Sequence, residues 1–123
     1  MSEALVFGSV NIDQVVYLPR PPKVGETLEG ESVETFLGGK AANQAVALAR
    51  LGTSVSFVGN VGQDSFGKEL VSSLSNEDID LSMLGSVNEK TGTAFIYVFD
   101  NSENQIIYIR EANKLTNHKQ VTS

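Results

Sequence analysis

Several residue types are absent from this chain or scarce, and each shortage narrows what it can do. There is no cysteine, which excludes disulfide frameworks and thiolate zinc sites. Basic residues are few, since 9 Lys and Arg stand against 15 Asp and Glu for a net charge of -6. Such a chain has no basic stripe to neutralise the phosphates of a duplex, so we expect no nucleic-acid partner.

Long apolar runs are also missing. The first residues lead directly into a short apolar stretch, without the basic region or the long apolar segment that secretion or membrane spanning requires. We therefore expect a cytoplasmic protein with no membrane partner. At 123 residues, with 41% hydrophobic and 20% charged residues, the chain has the composition of one small globular domain with a modest core.

The hydrophobic period alternates between two and 3.6 residues, which predicts a mixed α/β domain. Two helices are expected, one over 41–51 with Gly52 after its end and one capped by Asp64. Thr116 has the character of an N-cap and predicts a third, short helix from residue 117. Strands are expected over 4–10 (buried on both faces), 14–18, 32–36, 54–58, 93–99 and 105–110, the last two forming a hairpin through the turn formers 100–104.

The stretch 38–45, which reads Gly-Gly-Lys-Ala-Ala-Asn-Gln-Ala, is the most informative one. Glycines that open a helix let the backbone present N–H donors closely to an oxygen-rich ligand. A Walker A loop is excluded because Glu34 replaces its first glycine and Ala41 replaces its Mg²⁺-binding hydroxyl. A dinucleotide fingerprint is excluded because residues 8–13 contain a single glycine.

Polar residues suited to a polyol accompany this motif. Asn11 and Asp13 occupy alternate positions after the first strand, where an amide and a carboxylate can hydrogen-bond to vicinal hydroxyls. Lys40 adds three donors, and Asn43 falls in the first helical turn beside free N–H groups. Asp13 could instead cap a turn, and Gly-Gly-Lys could be an ordinary turn. The combination favours a ligand site.

Two other features carry no predicted site. His118 is the only histidine and is expected to be solvated near the end of the chain. The acidic run 77–80 follows a predicted helix and has the character of a solvated connection, so no metal site is predicted.

With their spacing, these residues resemble the N-terminal signature of the ribokinase (PfkB) family of carbohydrate kinases. Gly52 and Gly62 follow the glycine motif at the spacing typical of that family. The resemblance covers nearly the whole chain and includes Gly8-Ser9-Val10-Asn11-Ile12-Asp13, Val24-Gly25-Glu26-Thr27, Val61-Gly62-Gln63-Asp64-Ser65-Phe66-Gly67 and Thr91-Gly92-Thr93-Ala94.

The resemblance implies a ribokinase-like α/β sandwich. Residues 1–123 would form a partial domain, with the N-terminal part of the central sheet, its flanking helices and a small β lid around 14–36 and 93–110. The implied sugar-binding residues are Asn11, Ile12, Asp13, Gly39, Lys40, Ala41, Ala42 and Asn43, with Ala94 and Ile106 as an apolar wall on the lid.

The implied activity is ATP-dependent phosphorylation of a sugar hydroxyl, with ribose to ribose 5-phosphate as the first candidate and Mg²⁺ bridging the phosphates. In the family, the catalytic aspartate closes a Gly-Ala-Gly-Asp motif in the nucleotide-binding C-terminal half, and that motif does not occur here. We therefore expect a truncated kinase that is inactive alone, with ATP and Mg²⁺ bound only by the complete protein.

Two alternatives stay open at this point, and so does the oligomeric state. The chain could be a sugar-binding or regulatory module without chemistry, or one subunit of a split kinase whose partner is the missing C-terminal half. Family members also commonly pair through their lids, which makes a homodimer through the lid strands a further expectation.

Two departures from the family pattern bear on the site. Ala41 replaces a common glycine and is expected to place a methyl group near the ligand. Glu111-Ala112-Asn113 stands where the family tends to have Gly-Ala-Asn, so we expect a Cβ at a tight turn.

Overall fold

A computed structural model describes residues 2–121 of the chain. The strands and helices alternate much as the hydrophobic periods predict, and the α/β class is confirmed. The elements are β1 (Ala4–Phe7), β2 (Asn11–Leu18), β3 (Ser32–Gly38), α1 (Lys40–Arg50), β4 (Val55–Gly62), α2 (Ser65–Asn76), β5 (Leu84–Val87), β6 (Gly92–Phe99) and β7 (Asn104–Ile109), followed by short 3₁₀ helices at Glu111–Leu115 and His118–Gln120.

The strands form two sheets. A parallel sheet has the order β1-β4-β5, and a four-stranded sheet has the order β3-β2-β6-β7. In the second sheet β2 is parallel to β6, while the outer strands β3 and β7 are antiparallel to their neighbours. The segments expected to form a lid, around 14–36 and 93–110, therefore make up the four-stranded sheet. Its strand β3 ends at Gly38, and α1 begins after one further residue, at Lys40.

The core lies between the parallel sheet, the two helices and the start of β2. Helix α1 contributes the small side chains Ala42 and Ala45, which are fully buried and allow close packing against β1 and β4. Helix α2 contributes Leu70 and Leu74, and Phe57 of β4 fills the space between the layers. This core fixes the start of α1 relative to β2, which is where the candidate site lies.

Two predictions, the Asp64 cap of α2 and the hairpin of β6 and β7, are confirmed by local hydrogen bonds. Asp64 caps α2, since its Oδ1 accepts the Gly67 N–H at 2.8 Å. The hairpin of β6 and β7 is present, with Phe99 donating its N–H to the Glu103 carbonyl at 3.0 Å. Neither α-helix within residues 2–121 is long and apolar enough to cross a membrane.

The first strand differs from its prediction. It ends at Phe7 rather than at residue 10, and Leu5 and Phe7 are each about half exposed, at 49% and 48%. The reason is position, because β1 is the edge strand of its sheet and only the face carrying Val6 meets the core. Strand β5 was not predicted, because its four residues carry too little pattern and depend on pairing with β4.

The helix predicted after Thr116 is also wrong. Thr116 ends the preceding 3₁₀ helix, and Asn117 caps the short His118–Gln120 turn by accepting the Lys119 N–H at 2.9 Å. Gln120 holds this turn against the parallel sheet by donating to the Gly59 carbonyl at 2.9 Å. Positions 122–123 of the predicted helix lie outside the described residues.

Candidate functional site

The polar residues that open β2 share one face of the four-stranded sheet. Asp13 pairs with Ala94 of β6, and Ala94 pairs with Tyr108 of β7, so these side chains emerge on the same side. Ile106 lies two residues before Tyr108 and shares that side. We call the surface formed by Asn11, Asp13, Ala94, Ile106 and Tyr108 the site face.

Asn11 and Asp13 form a hydrogen-bonded pair at one end of the site face. The Asn11 side-chain amide donates to Asp13 Oδ1 at 2.8 Å. Burial raises the pKa of the Asp13 carboxyl above its ordinary value, and the Asn11 hydrogen bond offsets part of that shift. Asn11 is 4% exposed and Asp13 is partly exposed. Asn11 therefore orients the carboxylate, and Asp13 presents it.

Glycines flank Asn11 on both neighbouring strands, Gly38 on β3 and Gly92 on β6. A Cβ at Gly38 would stand 2.6 Å from Asp13 Oδ2 and closer still to Oδ1. A Cβ at Gly92 would overlap the Asn113 amide and stand 3.0 Å from the Arg110 carbonyl. Each missing side chain thus leaves the space that a polar group of the site occupies.

Gly39 connects this pair to the start of α1. Its φ is +97°, and a Cβ there would stand 2.6 Å from the Ser9 carbonyl oxygen and 2.8 Å from Val10 Cα. Gly39 gives α1 no side-chain cap. Ala42 donates to the Ser9 carbonyl at 3.1 Å and Asn43 to the Gly39 carbonyl at 2.9 Å. The helix start is therefore fixed against the turn that leads into β2, beside the Asp13 carboxylate.

Lys40 is the first residue of α1 and is exposed. Within residues 2–121 the ion pairs are Arg20–Glu26 and Arg50–Glu77, and neither includes Lys40. Its ammonium group, three donors on a flexible stem, is thus uncommitted to a carboxylate of the described chain.

Three of the apolar residues predicted for the site have buried side chains: Ile12, Ala41 and Ala42. Ile12 is 3% exposed and points to the face opposite Asp13, towards α2. Ala42 is fully buried, and the Ala41 methyl packs against Gly8, whose own Cβ position lies 2.8 Å away. The Ala41 methyl group is therefore directed at Gly8. The side chains of Ile12, Ala41 and Ala42 are buried, and their predicted roles in binding a ligand stay predictions.

Asn43 is exposed but points away from the paired polar residues. It lines a groove between α1 and α2 together with Leu37, which pairs with Ile12 and so lies on the face opposite Asp13. In the described part of the chain the Asn43 side chain makes no hydrogen bond to Asn11 or Asp13. The structure thus brings Asn11, Asp13, Gly39 and Lys40 to one end of the site face and places Asn43 beside it.

The lid residues differ from each other in exposure. Ala94 is 7% exposed, whereas Ile106 is 61% exposed. Ala94 forms the floor of the site face next to Asp13, because the two residues are direct partners in the register. Ile106 stands on the outer strand β7, where its side chain forms an open apolar edge.

Asn113 and Tyr108 complete the site face, and sequence reasoning missed their roles. Asn113 Oδ1 accepts the Val10 N–H at 3.0 Å, and its amide donates to the Tyr108 hydroxyl at 3.0 Å. Asn113 follows Glu111, whose φ of +46° agrees with the expected tight turn. The one sequence signal for Asn113 was its place in Glu111-Ala112-Asn113, where the family tends to have Gly-Ala-Asn.

A second network anchors the start of β6. Asp64 accepts the Thr91 N–H at 2.9 Å, and the Thr91 hydroxyl accepts the Gly62 N–H at 2.9 Å. Desolvation by itself raises the pKa of Asp64, but the hydrogen bonds from Thr91 and Gly67 outweigh it and hold the pKa below its ordinary value. The carboxylate therefore ties α2 and β4 to the strand that carries Ala94.

In residues 2–121 no group of three or more His, Cys, Asp or Glu side chains could hold a metal ion. The site face presents hydrogen-bonding groups and apolar surface.

Comparisons with known proteins show the family of the chain. The model of the pfkB family carbohydrate kinases matches residues 1–122. The chain is 46% identical to a ribokinase of Haemophilus influenzae over 109 residues, which cover 88% of this chain and 36% of that protein. It is 39% identical to a deoxyribokinase of Salmonella typhi over 110 residues, which cover 89% of this chain and 36% of that protein.

A solved structure of an Arabidopsis thaliana ribokinase complexed with ribose and ATP superimposes with a TM-score of 0.84 and 37% identity. That match covers 91% of this chain and 37% of the Arabidopsis chain. The expected ribokinase fold is therefore confirmed for the described residues. The chain spans little more than a third of the length of the relatives it matches.

Proposed function

This chain belongs to the pfkB family of carbohydrate kinases, and we propose that its site face binds the sugar substrate of an ATP-dependent kinase. Ribose is the first candidate, because a related ribokinase has been solved with ribose and ATP. The observation that carries the proposal is the Asn11–Asp13 pair, a partly exposed carboxylate held at 2.8 Å by a buried amide beside an uncapped helix start.

The chemistry of the site face suits a small polyol. The Asp13 carboxylate accepts hydrogen bonds from hydroxyl groups, and the Lys40 ammonium and the N–H groups at the start of α1 donate to hydroxyl oxygens. Ala94 and Ile106 offer apolar surface to the carbon-bound hydrogens of a sugar ring. Sites for small molecules commonly combine such an apolar wall with a few convergent polar groups.

In the proposed reaction these residues bind and orient the sugar hydroxyl and exclude water from it. Correct positioning alone lowers the barrier of a transfer reaction by several kcal/mol. The catalytic base and the ATP and Mg²⁺ sites belong, in this proposal, to the part of the kinase that lies outside these 123 residues. That assignment is supported by the absence of a Gly-Ala-Gly-Asp sequence here and by the length of the relatives.

The test is calorimetric titration of the chain with ribose, 2-deoxyribose and ATP, using the wild type and Asp13→Asn. The variant keeps the shape of the side chain and removes its charge. Since hydrogen bonds to charged groups contribute about 1.5–3 kcal/mol, ribose affinity should fall by about 10- to 150-fold.

Asp100→Asn is the matched control, because Asp100 lies in the exposed β6–β7 turn. Its ribose affinity should equal that of the wild type. The proposal is contradicted if the wild type does not bind ribose, or if Asp13→Asn binds ribose as tightly as the wild type. Tight ATP binding by the chain alone would contradict the division of sites.

A further inference from the structure

Asn113 hydrogen-bonds both to Val10, directly before the strand that carries Asp13, and to the strand that carries Ile106. We propose that Asn113 is a positioning residue which, through the Tyr108 hydroxyl, sets the separation between the polar end of the site face and its apolar wall. This inference rests on the proposed sugar site and assigns roles in it to Asn113 and Tyr108.

The two hydrogen bonds of Asn113 connect separate parts of the fold. The acceptor side of the amide takes the N–H of Val10, the residue directly before Asn11, at 3.0 Å. The donor side gives a hydrogen bond to the Tyr108 hydroxyl at 3.0 Å, across from Ala94 in the register. One planar side chain therefore spans from the start of β2 to β7.

The fold reserves space for this amide. Asn113 is 7% exposed, and it occupies the position that a Cβ at Gly92 would take on the site face. The same Cβ would stand 3.4 Å from the Asn11 Cβ, so the Asn113 amide lies in the row of residues that includes Asn11. The Asn113 amide therefore lies close to the residue that orients the Asp13 carboxylate.

Tyr108 is held by this contact more than by burial. Its side chain is 44% exposed on the outer strand β7, where the neighbouring strand protects one side only. An exposed side chain on an edge strand has rotational freedom that the hydroxyl hydrogen bond removes. The Asn113–Tyr108 bond therefore fixes both a ring of the site face and the strand that carries Ile106.

The decisive variant is Tyr108→Phe, which keeps the ring and removes only the hydroxyl. Tyr97→Phe is the matched control, because Tyr97 lies on β6 with its side chain on the opposite face of the same sheet. Ribose affinity is measured by calorimetric titration of the 123-residue chain, and urea unfolding of each variant separates binding from stability. Asn113→Ala is measured as well where it folds.

We expect Tyr108→Phe to weaken ribose binding by about three- to tenfold, as the loss of one hydrogen bond implies, with Tyr97→Phe unchanged. Asn113→Ala should weaken it further, because it also releases Val10. Equal affinity for wild type and Tyr108→Phe overturns the inference while leaving the proposed sugar site intact. An equal loss in Tyr97→Phe overturns it too, and a wild type without ribose binding overturns both.

Discussion

Replacing Gly38 by alanine tests the geometry of the site with a single methyl group. The Gly38 backbone is in an ordinary extended strand, so alanine meets no conformational barrier there. The new Cβ would stand 2.6 Å from Asp13 Oδ2 and nearer to Oδ1, whereas ordinary contacts begin near 3.4 Å. The carboxylate has to move by about 1 Å, which stretches the 2.8 Å hydrogen bond from Asn11 beyond useful length.

The magnitude follows from that bond. A hydrogen bond to a charged group contributes about 1.5–3 kcal/mol, so Gly38→Ala should weaken ribose binding by about 10- to 150-fold. The free energy of unfolding should fall by a similar amount in the wild-type background. In an Asp13→Ala background the same change should cost less than about 0.5 kcal/mol, because the methyl then enters empty space.

The assay is a double-mutant cycle by urea unfolding, combined with calorimetric titration with ribose. Gly30→Ala is the control, since its Cβ meets nothing closer than the Tyr17 carbonyl at 3.3 Å and lies far from Asp13 along the chain. Equal destabilisation by Gly38→Ala in both backgrounds would show that the new methyl group collides with something other than the Asp13 side chain.

Three further predictions concern charge and backbone. Because the pKa of Asp13 is raised in the folded chain, ionisation of its carboxyl lowers the free energy of unfolding as the pH rises through that pKa. Asp13→Asn should therefore be more stable than the wild type in urea at pH 7. The difference should vanish below about pH 3.9, where the carboxyl is protonated in both the folded and the unfolded chain. The lowered pKa of Asp64 has the opposite effect: the ionised carboxylate stabilises the fold at neutral pH, and this stabilisation is lost as pH falls below about 3.9. Asp64→Ala should therefore lower the free energy of unfolding in urea by about 1–3 kcal/mol at pH 7. The variant should also lose less stability than the wild type when the pH is lowered. Glu111→Gly should raise the free energy of unfolding by about 1 kcal/mol in the same assay, because φ is +46° there; an unchanged or lower midpoint contradicts that turn geometry.

The sequence was sufficient for the parts of the site that depend on local spacing. Asn11 and Asp13 were predicted together because residues two apart on a strand share a face, and the structure places them on one face. Gly39 was expected to allow close backbone approach, and its positive φ agrees. The Asp64 cap was likewise a local pattern and is confirmed.

Ile12 and Ala42 belong to the same motifs as the polar residues, but strand alternation and helical period turn their side chains into the core. The position of Asn113, in contrast, depends on the packing of distant elements. Asn113 is about a hundred residues from Val10 along the chain. Its contact depends on how β7 returns to the turn before β2, which no local pattern encodes.

The edge position of β1 has the same kind of origin. An apolar run reads as a strand buried on both faces, but exposure depends on the order of strands in the sheet. Leu5 and Phe7 are apolar and half exposed because β1 has a neighbour on one side only within the described residues. Sheet order is a tertiary property, so this part of the fold required the structure.

An NMR titration of the isotopically labelled chain with ribose, which follows each backbone amide, shows whether the site face binds the sugar. We expect the largest shifts at Asp13, Gly39 and Lys40, with smaller shifts at Ala94 and Ile106 and none in the exposed β6–β7 turn. A titration that moves no amide, or that moves those of α2 and β5 in place of the site face, would contradict the assignment of this surface as a sugar site.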